Sequence, residues 1–225
     1  MIKSLSPKAA IQRLRVKFGR GHELKYISHL DLMRLWERAL RRAGIPVAYS
    51  AGFNPRPRLS FCSPLAVGVT SESELLDIFL EQQISPHHLT TNISKQLPDG
   101  VEIYEVQEIG LKVPSLQSQA SMAEYNITVK IDKEPEEVRL AIDDFLALKN
   151  MQWQHIRDNK AKEYDIRALV ENIEVLDNQN GEYSLVMRLK ISARPEQVAA
   201  ALGCNSHPDS IHRTNIILDA NTSNV

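Results

Sequence analysis

The amino-acid sequence predicts an α+β protein made of two ferredoxin-like halves in tandem, each with the element order β-α-β-β-α-β. Three observations lead to this class. Strand-like and helix-like segments follow one another in that order before residue 110. A polar stretch occupies 111–121, and similar segments then return with one extra strand. With 225 residues, of which 43% are hydrophobic, the chain can bury a core in each half.

The first half begins with a strand and a capped helix. Residues 11–19 alternate between apolar and polar types and are rich in branched and aromatic side chains. Ser28 stands where a helix N-cap belongs, and the helix should run to about Arg42. Gly44 and Pro46 then provide stop signals. The remaining elements of this half are expected as strands at 47–50, 58–62, 74–80 and 101–109, with a helix from the Ser85 cap to about Gln96.

The second half has a comparable pattern. Pro135 opens a helix that reaches residue 148, and Pro195 opens a shorter one that reaches Leu202. Strands are expected at 124–131, 151–157, 164–175, 182–191 and 211–218. The predicted organisation is a basic N-terminal domain at 1–110, a linker at 111–121, a C-terminal domain at 122–220 and a frayed tail at 221–225.

Charge is distributed unevenly along the chain. Residues 1–60 hold 13 Lys and Arg but three acids, a net charge of +10. The other 165 residues hold 14 basic and 25 acidic side chains, a net charge of −11. The total of −1 therefore conceals a basic front on an acidic body. Such an asymmetry indicates a polyanionic partner for the front.

Several classes of protein are not indicated by the sequence. The N-terminus lacks the apolar segment of a signal peptide, and no stretch approaches the ~20 apolar residues of a membrane helix. Cys62 and Cys204 are too few for a disulfide framework or a four-ligand zinc site, so we expect two reduced, buried thiols. The chain has no P-loop, no GxGxxG and no CxxxCxxC motif. We therefore expect a cytoplasmic protein with no membrane association, no metal and no cofactor.

Arginines dominate one face of the first predicted helix. Arg34, Arg38, Arg41 and Arg42 lie opposite an apolar stripe that includes Trp36. Like charges at i, i+4 repel by a few tenths of a kcal/mol per pair, roughly, so the stripe indicates a ligand that offsets the repulsion. Phosphates fit this role because guanidinium groups bind them bidentately. The alternative is a solvated face whose arginines pair with acids elsewhere in the chain.

The loop that follows the helix combines a stiff backbone with groups that suit RNA. Its prolines restrict the backbone, so Arg56 and Arg58 project at a low entropic cost. Phe53 follows a glycine and can stack on a base, and Ser50 and Ser60 add hydroxyl donors. This composition is typical of a single-stranded RNA contact. The alternative for Phe53 is a place in the core beneath a rigid hairpin.

Three strings in this region form a distinctive pattern: SHLDLMR at 28–34, RALRRAGIP at 38–46 and YSAGFNPRP at 49–57. They resemble the bacterial family called radical SAM-linked proteins, a domain found beside or fused to radical S-adenosylmethionine enzymes. The chain departs from the family pattern at Ala51 and Arg56, where the family often has Gln and His. Weaker matches are Pro64-Leu65, Gly68-Val69, Ser71, Glu74, Lys162, Asp165-Ile166-Arg167, Arg194-Pro195 and Arg213-Thr214. The whole resemblance spans about residues 11–218. The resemblance implies a radical SAM enzyme as partner, one that acts on RNA.

The sequence-based hypothesis is a non-catalytic RNA-binding protein that positions tRNA or ribosomal RNA for a radical SAM enzyme. The proposed phosphate-binding set is Arg34, Arg38, Arg41, Arg42, Ser50, Phe53, Asn54, Arg56 and Arg58. One alternative is a metal-independent endoribonuclease that transfers protons through His29, Tyr26 and Lys25. A second alternative is a protein-interaction module whose basic front docks on an acidic partner surface.

Overall fold

A computed structural model describes residues 9–157, 160–179, 181–204 and 206–219 of the chain. The expected frayed tail at 221–225 lies outside these residues. The chain divides into two compact units, one formed by residues 1–120 and 218–225 and the other by residues 121–217. Both units combine helices with antiparallel strand pairs, so the α+β class is confirmed.

The first unit has the predicted element order. Its strands are β1 (Gln12–Arg20), β2 (Leu59–Phe61), β3 (Thr70–Leu80) and β4 (Val101–Ile109), and its helices are α1 (His29–Arg42), α2 (Pro86–Ile93) and the short α3 (Leu116–Gln119). Strand β1 lies between β4 and β3, β2 pairs with β3, and all three pairings are antiparallel.

One face of this sheet forms the core of the first unit. Alternate residues of β1 and β3 are fully buried there, with Phe18 at the end of the β1 series. Trp36 of α1 packs edge-to-face on Phe18, with ring centroids 4.9 Å apart. Leu89 and Ile93 of α2 are buried in the same cluster. The apolar stripe predicted for α1 is therefore its packed face.

The ends of α1 follow the predicted signals. The Ser28 hydroxyl accepts a hydrogen bond from the Asp31 backbone N–H at 3.1 Å, which satisfies one unpaired donor of the first turn. The helix ends at Arg42, and Gly44 follows with φ = 67°. Glycine adopts this left-handed conformation without the steric penalty of a side chain.

The prediction of a strand at 47–50 was wrong. This segment makes isolated bridges, Val47 to Leu80 and Tyr49 to Pro57. Pro57 has no N–H to donate, so its pairing with Tyr49 stays a short bridge, flanked by a hydrogen bond from the Arg58 N–H to the Ala48 carbonyl at 2.8 Å. A few backbone hydrogen bonds therefore fix the segment to β3 and to the far side of the loop.

The second unit contains five strands besides β5 (Ala120–Lys130). These are β6 (Gln152–Arg157), β7 (Lys160–Asp165), β8 (Val170–Gln179), β9 (Glu182–Lys190) and β10 (Ser210–Leu218), and the helices are α4 (Pro135–Ala147) and α5 (Pro195–Ala201). Strand β5 lies between β9 and β10, β8 flanks β9, and β6 and β7 form a separate hairpin.

The single strand predicted at 164–175 is two strands with a turn between them. Strand β7 ends at Asp165, and a 3₁₀ turn at Arg167–Leu169 precedes β8. The Asp165 carboxylate accepts hydrogen bonds from the backbone N–H groups of Met151 at 2.9 Å and Arg167 at 3.1 Å. A side chain that captures nearby backbone donors ends a strand ladder in this way.

Opposite the core, the sheet of the first unit carries a buried ion-pair cluster. Asp77 of β3 is fully buried and accepts hydrogen bonds from the guanidinium groups of Arg13 and Arg15, both on β1. Arg13 also donates to the carbonyls of Val113 and Pro114. The segment expected as a linker, 111–121, thus contacts β1 along part of its length.

Both cysteines are free and buried, as the sequence predicts. Cys62 and Cys204 lie in different units. Within the described part of the chain no helix is long and apolar enough to span a membrane.

We predict that Asp77→Asn strongly destabilises the protein. The change keeps the shape of the side chain but leaves two buried guanidinium groups without a counter-charge, a loss of about 3–5 kcal/mol. Urea denaturation followed by circular dichroism measures it. Glu136→Gln is the control, because it removes an exposed pair with Arg139 and should cost below about 1 kcal/mol. Equal losses in the two variants would contradict the assignment.

Candidate nucleic-acid interface

The outer face of α1 presents arginines to solvent. Arg34, Arg38, Arg41 and Arg42 are all exposed, whereas Leu32, Trp36, Ala39 and Leu40 are buried on the opposite face. This division follows from the 3.6-residue period of the helix, because the core fixes one face and the other turns outward. The predicted face of the four arginines is therefore the exposed face of the helix.

Three of these arginines share a surface cleft with the segment that follows the helix. The cleft has a volume of about 460 Å³ and is lined by Arg34, Glu37, Arg38, Arg41, Tyr49 and Pro57. Its volume is within the range of pockets that hold small ligands. Residues eight to sixteen positions beyond Arg41 thus complete the wall opposite the helix.

The arginines of the cleft differ in their intramolecular partners. Arg34 donates to the Asp31 carboxylate at 3.3 Å, an exposed pair at i, i+3. The hydrogen bond from the Ser28 hydroxyl, and then the charge of Arg34, lower the pKa of Asp31. Arg38 and Arg41 make no hydrogen bond or ion pair with any residue that the structure describes. Their guanidinium groups are available to an external anion.

Arg42 does not belong to the cleft. Its guanidinium donates to the side-chain oxygen of Gln96 at 3.1 Å and to the Gln96 carbonyl at 2.6 Å. These bonds join the end of α1 to the turn after α2. The sequence pattern groups Arg42 with the other three arginines, but the structure gives it a structural contact.

The loop after α1 rises from the wall of the cleft. Tyr49 and Pro57 bridge its base, and both residues also line the cleft. Inside the loop, the Ser50 backbone N–H donates to the Arg56 carbonyl at 2.9 Å, and the Ser50 hydroxyl accepts from the Arg56 N–H at 3.0 Å. Gly52 has φ = 124°, a conformation that favours glycine.

The tip of this loop is fully in solvent. Phe53 is 100% exposed, so the alternative that it packs in the core is wrong. Asn54 and Arg56 are also exposed. Arg58 lies differently, with its guanidinium carbon 4.5 Å from the centroid of the Phe79 ring. The loop therefore presents Phe53, Asn54 and Arg56, whereas Ser50 and Arg58 also stabilise its base.

The residues proposed for the nuclease alternative lie at the start of α1. His29 is half-buried, and its ring packs edge-on against Phe61 with centroids 5.4 Å apart. Burial lowers the pKa of His29, Glu74 opposes that shift, and Arg20 adds to it. Tyr26 is 72% exposed, with the Lys25 ammonium 5.0 Å from its ring centroid. None of the three lines the cleft of α1.

The net charge of +10 for residues 1–60 overstates the exposed charge of the front. Arg13 and Arg15 are held by Asp77, and Arg20 is fully buried and donates to the carbonyls of Ala66 and Val69. These three cations are structural. The exposed arginines of this region are those of α1 and its loop.

Tyr49 and Glu37 line the cleft and are not in the set predicted from the sequence. Tyr49 is 40% exposed and provides an aromatic wall, yet the sequence places it in an ordinary strand-like segment. Glu37 is half-buried in the cleft but stands in the sequence as one acid among many basic residues. Helical spacing was the available signal for Glu37, because it is three residues from Arg34 and four from Arg41.

Among the described residues, no group of three or more His, Cys, Asp or Glu side chains is arranged to hold a metal ion. The family-like residues Asp165 and Arg167 of the second unit have structural contacts. Arg167 donates to the Leu146 carbonyl at 2.7 Å, which joins the end of α4 to the turn before β8.

The chain belongs to the bacterial family described as "Uncharacterized protein conserved in bacteria (DUF2344)", which matches residues 13–201. That description names no partner enzyme. No curated protein matches the chain.

Solved structures show a likeness in fold. A chain of a Cbf5-Nop10-Gar1 complex is 11% identical with a TM-score of 0.51, and the match covers 92% of this chain and 49% of that one. A chain of the archaeal box H/ACA sRNP Nop10-Cbf5 complex is 12% identical with a TM-score of 0.46, over 90% of this chain and 46% of that one. The chain thus spans about half the length of these proteins. At such identity the first likeness shows the fold alone.

We predict that His29 titrates below its ordinary pKa of about 6.5 in the folded protein. The unfolded chain then binds more protons in the window between the two pKa values, so His29 makes stability fall as pH drops below about 6.5. NMR titration of the His29 ring measures the pKa, and urea unfolding at two pH values measures the slope. His29→Gln should reduce that slope. An unchanged slope, or a raised pKa, would contradict the burial argument.

Proposed function

We propose that this protein binds structured RNA, such as tRNA or ribosomal RNA, and positions it for a separate radical SAM enzyme. The observation that carries the RNA-binding part is the cleft in which Arg34, Arg38 and Arg41 converge. Arg38 and Arg41 have no anionic partner among the described residues. A phosphate-bearing ligand would supply the missing negative charge.

Electrostatics favours phosphate over a purely solvated face. Arg34, Arg38 and Arg41 are spaced at i, i+3 and i, i+4 along the helix, so their positive charges repel one another. Among the described residues, Arg34 has a carboxylate contact, and Arg38 and Arg41 have none. Guanidinium binds phosphate oxygens in a planar, bidentate geometry and is weakly hydrated, so a phosphodiester is its natural counter-ion.

The loop supports a polymer rather than a single small anion. It extends from the cleft wall and carries the fully exposed ring of Phe53, with the cation Arg56 three positions later. A ring and cations together match the alternation of bases and phosphates along an unpaired RNA strand. The loop is braced at its base by Ser50, so little order has to be gained on binding.

The radical SAM partner and the finer fold assignment rest on separate support. The partner is supported by the resemblance of the strings at 28–34, 38–46 and 49–57 to radical SAM-linked proteins. We also propose that each unit is ferredoxin-like. In the first unit β1 lies between β3 and β4, and in the second β5 lies between β9 and β10, as expected for two β-α-β-β-α-β folds.

We predict that Arg38→Ala/Arg41→Ala weakens binding to fluorescently labelled tRNA by about tenfold or more. The slope of log affinity against log salt concentration should become less negative by about 1.5, because two phosphate contacts are lost. Fluorescence anisotropy at several salt concentrations measures both quantities. The thermal unfolding temperature should not fall, since neither guanidinium has a partner in the described structure.

The matched control is Lys133→Ala/Arg139→Ala, which removes two exposed positive charges from the second unit. It should leave the tRNA affinity within about twofold of wild type. If both double variants weaken tRNA binding equally, the binding depends on total positive charge and not on the cleft, and the proposal is overturned. Metal-independent cleavage of the tRNA that His29→Gln abolishes would instead favour the endoribonuclease.

We predict that Phe53→Ala weakens tRNA binding by about 5- to 150-fold, because the loss of one stacked base costs about 1–3 kcal/mol. Unfolding free energy should stay unchanged because the ring contacts no other described part of the chain and is fully exposed. Anisotropy and urea denaturation provide the two measurements. Leu140→Ala, which removes another exposed apolar side chain, is the control and should not alter the affinity.

A further inference from the structure

A carboxylate lies inside the arginine-lined cleft. Glu37 is half-buried there and follows Arg34 by three residues and precedes Arg41 by four, so both guanidinium groups are its neighbours on the helix. The order of Glu37 before Arg41 at i, i+4 is the favourable orientation for an ion pair. Nevertheless, Glu37 makes no ion pair or hydrogen bond with any described residue.

A site for phosphate alone is weakened by such a group. A carboxylate repels the phosphate oxygens and cancels one of the three positive charges of the cleft. An ionised carboxylate accepts hydrogen bonds and cannot donate them. The chemistry of the cleft therefore suits a ligand that carries hydrogen-bond donors beside its phosphates.

Cytosine and uracil differ in this property at position 4 of the ring. Cytosine carries an amino group at N4 that donates to a carboxylate, whereas uracil carries the O4 acceptor at the equivalent place. The aromatic wall provided by Tyr49, 40% exposed in the same cleft, can stack on a pyrimidine and turn its edge toward α1. A carboxylate on α1 would then face the base edge and distinguish cytosine from uracil, and Glu37 provides that carboxylate.

Resting on the RNA-binding function above, we propose that Glu37 is a specificity-determining residue that selects an unpaired base bearing an exocyclic amino group, cytosine over uracil. Arg34, Arg38 and Arg41 hold the flanking phosphates, and Tyr49 stacks on the base. The Glu37 carboxylate accepts a hydrogen bond from the amino group and repels the carbonyl oxygen of uracil. A charge-assisted bond of this kind discriminates between bases by about 5- to 150-fold.

The test compares two octanucleotides, oligocytidylate and oligouridylate, by fluorescence anisotropy at pH 7.5 and one salt concentration. The full-length wild-type protein should prefer oligocytidylate by about tenfold. Glu37→Gln keeps the length of the side chain but provides both a donor and an acceptor. Its preference should fall to within about twofold, and its affinity for oligouridylate should rise because a repulsive charge is lost.

Asp31→Asn is the matched control, since it removes one negative charge from the same helix but from outside the cleft lining. It should strengthen binding of both octanucleotides alike and preserve their ratio. Equal binding of the two by wild type, or a preference that survives Glu37→Gln, overturns base selection while RNA binding stands. If neither octanucleotide nor tRNA binds at all, both proposals fail together.

Discussion

The packing of Trp36 against Phe18 is the contact on which the candidate site depends. It holds α1 flat on the sheet of the first unit, with ring centroids 4.9 Å apart and both side chains fully buried. An edge-to-face aromatic pair contributes about 0.5–1.5 kcal/mol beyond the burial of its area. Because a helix has one rotational orientation once such an anchor is seated, the arginine face is directed to solvent.

The cleft exists because two chain segments with different constraints meet beside that helix. One wall is α1 itself. The other is the segment around Tyr49 and Pro57, which two bridges and a few backbone hydrogen bonds fix to β3 and to the far side of the loop. Proline restricts this second wall without forming a ladder. The result is a rim that backbone hydrogen bonds brace beside the arginine face of α1.

Arginine has two opposite roles within the first unit. Arg13 and Arg15 are buried with Asp77 and with backbone carbonyls, where removal of the partner would leave uncompensated charge. Arg38 and Arg41 lie in water and have no described partner. The same residue type thus stabilises the sheet on one side and lies exposed, with no partner among the described residues, on the other.

The sequence by itself determined the α+β class, most strands and helices, the caps of α1 and the outward direction of its arginines. Those features depend on local periodicity and on turn and cap residues, which act within a few positions of the chain. Only the tertiary structure decided that Arg42 bonds to Gln96, that Arg13 and Arg15 are buried, and that Tyr49 and Glu37 line the cleft. Each of these depends on contacts between residues distant in sequence, or on which side of an element a neighbour covers. The local sequence pattern does not indicate these contacts, because the partner of a side chain depends on how the chain folds back on itself.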